Sequence, residues 1–228
     1  MDLAGRTVLS HVIERCTAIE AIDVVCCAVP DGVANDPVAE EAARCGARVV
    51  RGSELDVLAR YYKAAVECQV DVVMRVTSDC PVLDPRLASR VLSLLTDYGG
   101  DYACNNLPRS WPHGLDCEAF RFLWLERAFR EAKLAAEREH VTPYLRNHPH
   151  VRRLCVNGPG GDIINHRWTL DTELDLQFLR ALFARLPAGP ESFDYRVPLA
   201  IVERDPALAT MNTADGRDDR ATATNGGD

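Results

Sequence analysis

The stretch from Arg48 to Pro81, RVVRGSELDVLARYYKAAVECQVDVVMRVTSDCP, decides the fold class. Arg48 to Arg51 reads as a short strand, Ser53 as the cap of a helix from Glu54 to Cys68, and Asp71 to Val76 as the next strand. A helix between two strands is a crossover connection, which joins strands running in parallel. Working outward, the pattern repeats. Val8, Leu9, Val12, Ile13, Cys16 and Ile19 recur at helical spacing over Thr7 to Ile19. Ile22 to Ala28 is a continuous apolar run closed by Pro30-Asp31-Gly32, the pattern of a strand buried on both faces. Asp36-Pro37 supplies an N-cap with proline at the first helical position, Gly46 ends that helix, and another helix is expected from Pro85 to Tyr98. The order predicts an α/β fold with a doubly wound, mostly parallel sheet. Ligands on such sheets sit beyond the carboxyl ends of the strands, so the loop after Val76 is where chemistry is expected.

Residues 100–160 read as an inserted α+β region, suited to a second-substrate pocket or a dimer surface. It holds strands near Asp101 to Cys104, Leu115 to Phe120 and Val151 to Val156, and helices near Phe122 to Leu134 and Glu137 to Asn147. Trp111, Phe120, Phe122 and Trp124 are candidate interface anchors or core residues. Ile163 to Leu170 is expected as a returning strand, followed by a helix from Thr172 to Leu186. From Ala214 to Asp228 no apolar face remains, which predicts a disordered tail after one domain over residues 1–213.

Composition narrows the function. The chain has 228 residues, 47% of them hydrophobic, with 26 Lys and Arg against 34 Asp and Glu for a net charge of −8. A phosphate backbone requires concentrated positive charge, and no Lys/Arg cluster is present, so a nucleic-acid partner is not expected. Neither a membrane span nor a signal-peptide pattern is evident, which points to the cytoplasm. The nine cysteines include no C-x-x-C pair and fall mostly in apolar runs, as reduced thiols do. Gly158-Pro159-Gly160-Gly161 lacks the G-x-G-x-x-G spacing of a dinucleotide loop and reads as a surface turn, with His148 and His150 solvated nearby.

Four segments could carry chemistry. In Arg75-Val76-Thr77-Ser78-Asp79-Cys80-Pro81, a strand-end carboxylate can hold Mg²⁺ or cap a turn, and Arg75, Thr77 and Ser78 can reach phosphate or ribose oxygens. In Thr169-Leu170-Asp171-Thr172-Glu173-Leu174-Asp175, Asp171 is either a helix cap or a second metal ligand. Trp111-Pro112-His113-Gly114-Leu115-Asp116-Cys117-Glu118 and Glu137-Arg138-Glu139-His140-Val141-Thr142 gather polar groups of the kind that grip a sugar.

The segments Arg75 to Pro81, Pro112-x-Gly114-Leu115-Asp116-x-Glu118 and Glu137 to Thr142, with Val12-Ile13-Glu14-Arg15, Arg51-Gly52-Ser53-Glu54-x-Asp56-Val57-Leu58-x-Arg60-Tyr61 and Pro143-Tyr144-x-Arg146-Asn147-His148-Pro149, resemble the spore coat polysaccharide biosynthesis protein F family. Its wider group is the cytidylyltransferases that make CMP-activated acidic sugars, the CMP-Kdo and CMP-sialic acid synthetases. The resemblance runs from Leu3 to about Asn212. It implies a nucleotidyltransferase fold in which a sugar hydroxyl attacks the α-phosphate of CTP with release of pyrophosphate, in a homodimer requiring Mg²⁺. By matching position, it makes Asp79 and Asp171 the metal-holding aspartates. Arg51, Ser53, Arg75, Thr77 and Ser78 would face the nucleotide, and Asp116, Glu118, Arg138 and His140 the sugar.

One departure stands out. Members begin with a strand and a loop of the type Gln-Ala-Arg-x-Gly-Ser-x-Arg-x-Pro-Gly-Lys around the triphosphate, whereas Leu3-Ala4-Gly5-Arg6 matches the segment after it. The expectation is a product that starts upstream, or one that has lost nucleotide chemistry and serves as a partner subunit. A nucleotide-sugar glycosyltransferase is a further alternative, disfavoured because no Asp-x-Asp occurs.

Overall fold

A computed structural model describes residues 1–211, so the tail expected from Ala214 to Asp228 lies outside the described residues. The eight strands among them are β1 (Asp2–Leu3), β2 (Arg6–Thr7), β3 (Cys26–Pro30), β4 (Arg48–Gly52), β5 (Val72–Arg75), β6 (Tyr102–Cys104), β7 (Glu118–Arg121) and β8 (Arg153–Cys155). The helices are α1 (Val8–Thr17), α2 (Asp36–Arg44), α3 (Val57–Cys68), α4 (Pro85–Asp97), α5 (Phe122–Glu131), α6 (Ala135–His140), α7 (Pro143–Asn147), α8 (Glu173–Phe183), α9 (Arg196–Arg204) and α10 (Pro206–Thr210).

The architecture is α/β as expected, but its sheet is in two main parts. β3 and β4 pair in parallel, with Cys26 opposite Arg48 and Pro30 opposite Gly52. β5, β7, β6 and β8 form a mixed sheet in that order, antiparallel at β5–β7 and β6–β7 and parallel at β6–β8. Consecutive β4 and β5 are therefore not neighbours, and among the described residues β3, β4, β5 and β8 each keep one edge without a strand partner. Two helices span both parts. In α1, Ile13 belongs to a core cluster joined by Cys27 and Val49, while Cys16 packs against the main core, as do Val72, Met74 and Val76. α3 lies against β3 and β4, and its Leu58 and Tyr61 share a core with Val73.

Period-two alternation divides the core. Ala103 and Ala119 face α4 and α8 with Leu83, Val91, Leu95, Trp168 and Phe178, whereas Tyr102, Cys104 and Phe120 face α3 and α5 with Leu58 and Leu125. Trp111, Phe120 and Trp124 are buried within this protomer, which uses them as core residues; Phe122 is half-buried. No helix among the described residues is long and apolar enough to cross a membrane.

Local chemistry explains where the elements differ from expectation. The α3 cap is Asp56, which accepts from Ala59 N, while Ser53 Oγ accepts from Asp56 N one turn earlier. The N-cap of α2 is Asn35, with Asp36 and Pro37 inside the first turn. The helix expected over Glu137 to Asn147 breaks into α6 and α7 around Val141 (φ 70°), because Pro143 has no N–H and its ring excludes the carbonyl four residues back. The returning strand expected over Ile163 to Leu170 is instead a 3₁₀ turn, Gly161–Asn165, followed by a single bridge between His113 and Arg167. Gly160 and Gly161, both at φ +67°, turn the chain out of extended geometry there. Gly158 is not part of an open turn: a Cβ on it would lie 2.4 Å from Ser110 O. His148 is also less solvated than expected, its ring 4.9 Å from that of Trp124. Only Cys80, Cys104 and Cys117 are fully buried among the nine free thiols. Burial pushes Cys16 and Cys26 up to about 12, which keeps those thiols protonated.

Asp84 closes the fold around α4. One carboxylate oxygen accepts from Arg86 N (2.9 Å) and Leu87 N (3.2 Å), and the other accepts from Tyr195 N (2.9 Å), tying the approach to α9 onto the cap. Arg15 lies beside it, donating to Leu83 O and Phe193 O. Asp84→Ala removes a cap worth about 1 kcal/mol and leaves a buried N–H unpaired at about 1 to 3 kcal/mol. Urea unfolding is expected to show a loss of about 2 to 4 kcal/mol, well above the change for an exposed control such as Asp97→Ala.

Candidate active site

β5 ends at Arg75, and the loop that follows carries Thr77, Ser78 and Asp79 at the carboxyl end of the sheet. This loop is folded on itself: Cys80 N donates to Thr77 O (3.3 Å), and Cys80 Sγ lies 3.3 Å from Thr77 Oγ1 and 3.5 Å from Asp79 Oδ1. Leu170 N donates to Asp79 O at 2.9 Å, which joins the loop to the segment bearing Asp171. The two aspartates expected to act together therefore lie on adjoining backbones.

A second loop closes on the same place. Trp168 N donates to His113 O (2.7 Å) and His113 N to His166 O (3.0 Å). Gly114 makes this approach possible: its φ is +106°, and a Cβ there would sit 2.7 Å from the Trp168 carbonyl carbon. Asp116 Oδ2 accepts from Gly114 N at 3.3 Å and lies 3.6 Å from both His113 Nε2 and Arg109 Nη1. His113 Nδ1 is 3.1 Å from Arg167 Nη1. A guanidinium only donates, so this nitrogen carries the lone pair and the imidazole proton is on Nε2, on the Asp116 side.

Arg167 also pairs with Asp171 and comes within 3.6 Å of Asp175 Oδ1. Asp175 is buried at the start of α8, where its Oδ2 accepts from Asp171 N, Thr172 N and Thr172 Oγ1. Burial works to raise this carboxyl, but the hydrogen bonds and Arg167 outweigh it and hold it below its ordinary value. Asp116, Asp171 and Asp79 are thus linked through His113, Arg167 and one backbone bond.

Glu118 sits elsewhere than expected. Its register partner is Arg75, whose Nη1 donates to Oε2 at 2.9 Å. Oε1 accepts from Tyr102 Oη and Arg146. The carboxylate is 2% exposed and both oxygens are engaged, so it positions Arg75 instead of lining a surface. Burial alone would raise its pKa; Arg146, Arg75 and the Tyr102 hydroxyl overcome that and hold it below 4.5. Arg75 Nε is buried without a hydrogen-bond partner.

The remaining expected residues sit on several different elements. Arg51 pairs with Asp36 and donates to Gly32 O, bracing the loop after β3. Arg138 pairs with Asp56 and donates to Phe129 O, so it is held at the start of α3 along with Ser53. His140 is exposed on the last turn of α6. Sequence reasoning left Arg167, Asp175 and Arg146 without roles. The i, i+4 spacing of Arg167 and Asp171 is the signal that could have found the first.

Comparison with known proteins gives the family and the fold. Residues 1–179 match the protein family described as Cytidylyltransferase. The chain is 30% identical over 191 residues to the spore coat polysaccharide biosynthesis protein SpsF of Bacillus subtilis, covering 82% of this chain and 78% of that protein. It is 27% identical over 215 residues to an uncharacterized protein of Methanocaldococcus jannaschii, covering 93% and 86%. Among solved structures, a cytidylyltransferase from Leptospira borgpetersenii superposes with a TM-score of 0.85 at 25% identity, over 95% of this chain and 91% of that one. A CMP:2-keto-3-deoxy-manno-octonic acid synthetase complexed with CTP shares the fold, with a TM-score of 0.59 at 16% identity over 81% of this chain and 90% of that one.

The Glu118 pairing has a pH signature. Its folded pKa is depressed, so its contribution is fully present above the ordinary value of 4.5 and is lost as pH falls through the lower folded value. Glu118→Gln leaves two guanidiniums without their counter-charge and is expected to cost about 3 to 5 kcal/mol at neutral pH. Urea midpoints measured from pH 7 downward should show that deficit shrinking only below about pH 4.5.

Proposed function

The chain belongs to the cytidylyltransferase family, and from that premise we propose that it transfers the cytidylyl group of CTP to a sugar hydroxyl, releasing pyrophosphate, in the synthesis of a surface polysaccharide. The observation that supports this reading is the Leu170 N to Asp79 O bond, which lays the backbone segment before Asp171 against that of Asp79 at the carboxyl end of β5. Among the described residues no three His, Cys, Asp or Glu side chains gather as a metal cage. Two carboxylates at a strand end suit Mg²⁺, an ion held by one or two carboxylates with substrate phosphates and water completing its shell. When bound, Mg²⁺ would supply charge neutralisation at the α-phosphate.

The protein's own groups do the rest. Thr77 and Ser78, on the loop before Asp79, donate to nucleotide oxygens. Arg75, fixed by Glu118, places a guanidinium at the end of β5. Asp116, oriented by Gly114 N and His113, accepts from the sugar hydroxyls. The sugar is an acidic one in this reading, following the resemblance to CMP-Kdo and CMP-sialic acid synthetases.

The unpaired edges of β3 and β5 support one further element of the proposal. A strand between them, of the kind the resemblance places ahead of Leu3, would bring a phosphate-wrapping loop beside Asp79. Pyrophosphate release from CTP and Mg²⁺ should therefore be assayed over a panel of acidic and neutral sugars, with the chain as it stands and with such a strand and loop fused ahead of Met1. Turnover is expected with the added segment, and Asp79→Ala or Asp171→Ala in that protein is expected to lower it at least about a hundredfold. Full activity in both variants would reject the site.

A further inference from the structure

The polar groups around Asp171 show that its charge is already met inside the protein. The side chain of Arg167 is 18% exposed, and the acceptors it faces include Asp171, Asp175 Oδ1 at 3.6 Å and His113 Nδ1 at 3.1 Å. These are not equivalent. The Asp175 side chain is 3% exposed and is locked into the start of α8 by Thr172 and by Asp171 N. His113 is fixed by its two backbone bonds to the 166–168 segment. Asp171 is 46% exposed, and an ion pair that open to water is held weakly. The guanidinium therefore has fixed anchors in Asp175 and His113 and, in Asp171, a partner it can release without leaving its place.

We propose that Arg167 is an internal counter-ion that occupies Asp171 until a divalent cation displaces it, so that the free protein holds the cation poorly and the cation enters together with the triphosphate. This rests on the assignment of Asp79 and Asp171 as cation ligands. Released from Asp171, Arg167 stays on Asp175 and His113, where its positive charge remains beside the bound phosphates. The exchange also gives Asp175 and His113 roles beyond capping and packing: they keep the guanidinium from following Asp171.

The test measures cation binding by the full chain without nucleotide or turnover, using Mn²⁺ followed by electron paramagnetic resonance. Arg167→Gln removes the competing charge a few ångströms from the carboxylates and is expected to tighten Mn²⁺ binding by about tenfold or more. Adding Asp171→Asn to that variant should abolish the gain. Equal or weaker binding by folded Arg167→Gln protein overturns the proposal. Adding Asp79→Asn to Arg167→Gln separates the two claims: if the tightened binding persists, Asp79 is not a ligand, while the exchange at Asp171 stands.

If Arg167→Gln does not fold, the wild-type chain decides. Its Arg167 Nε–H resonance, followed by nuclear magnetic resonance, should shift as Mg²⁺ is raised and should not shift in Asp171→Asn. No shift at saturating Mg²⁺ overturns the proposal.

Discussion

The antiparallel register that sets Arg75 opposite Glu118 is the constraint from which the site follows. Glu118 is buried between two guanidiniums and a tyrosine hydroxyl, and an unpaired charge at that depth would cost several kcal/mol, so the register has little freedom to slip. Once it is set, β5 must end where it does and the loop carrying Asp79 must emerge at the carboxyl edge. On the facing strand, Asp116 is placed just ahead of Glu118, where it meets His113 and Arg109. The chemistry at the surface thus depends on an ion cluster that itself touches little solvent.

The fold class was legible from the alternation of helices and apolar runs, and so was the place of the loop after Val76 at the carboxyl end of a strand. Asp79 and Asp171 could each be read as a strand-end carboxylate able to hold a cation, and the resemblance matched both to metal-holding positions. That their segments adjoin depends on one backbone bond across 91 residues of chain, from Leu170 to Asp79, and no local spacing encodes that. Glu118 was read as sugar-lining because the resemblance matches its motif to that side. Nothing in the motif reveals that the neighbouring strand offers Arg75 and that Arg146 reaches in from α7. Gly114 is a better example of legible detail: only a residue without a Cβ fits against Trp168.

β4 and β5 follow one another through a crossover helix, which ordinarily makes them parallel members of one sheet. Here each belongs to a different sheet, and α1 and α3 pack across both. The net charge of −8 acquires a local meaning as well. Asp116 lies beside Arg109, and Asp171 and Asp175 beside Arg167, so these guanidiniums already have carboxylate partners.

The measurement that tests this account most directly is anomalous diffraction from crystals of the protein carrying the added strand, grown with CTP and Mn²⁺. The account predicts a manganese peak between the carboxylates of Asp79 and Asp171, with nucleotide phosphate on its open side. A peak held by other side chains, or CTP bound away from the carboxyl end of β5, would contradict it.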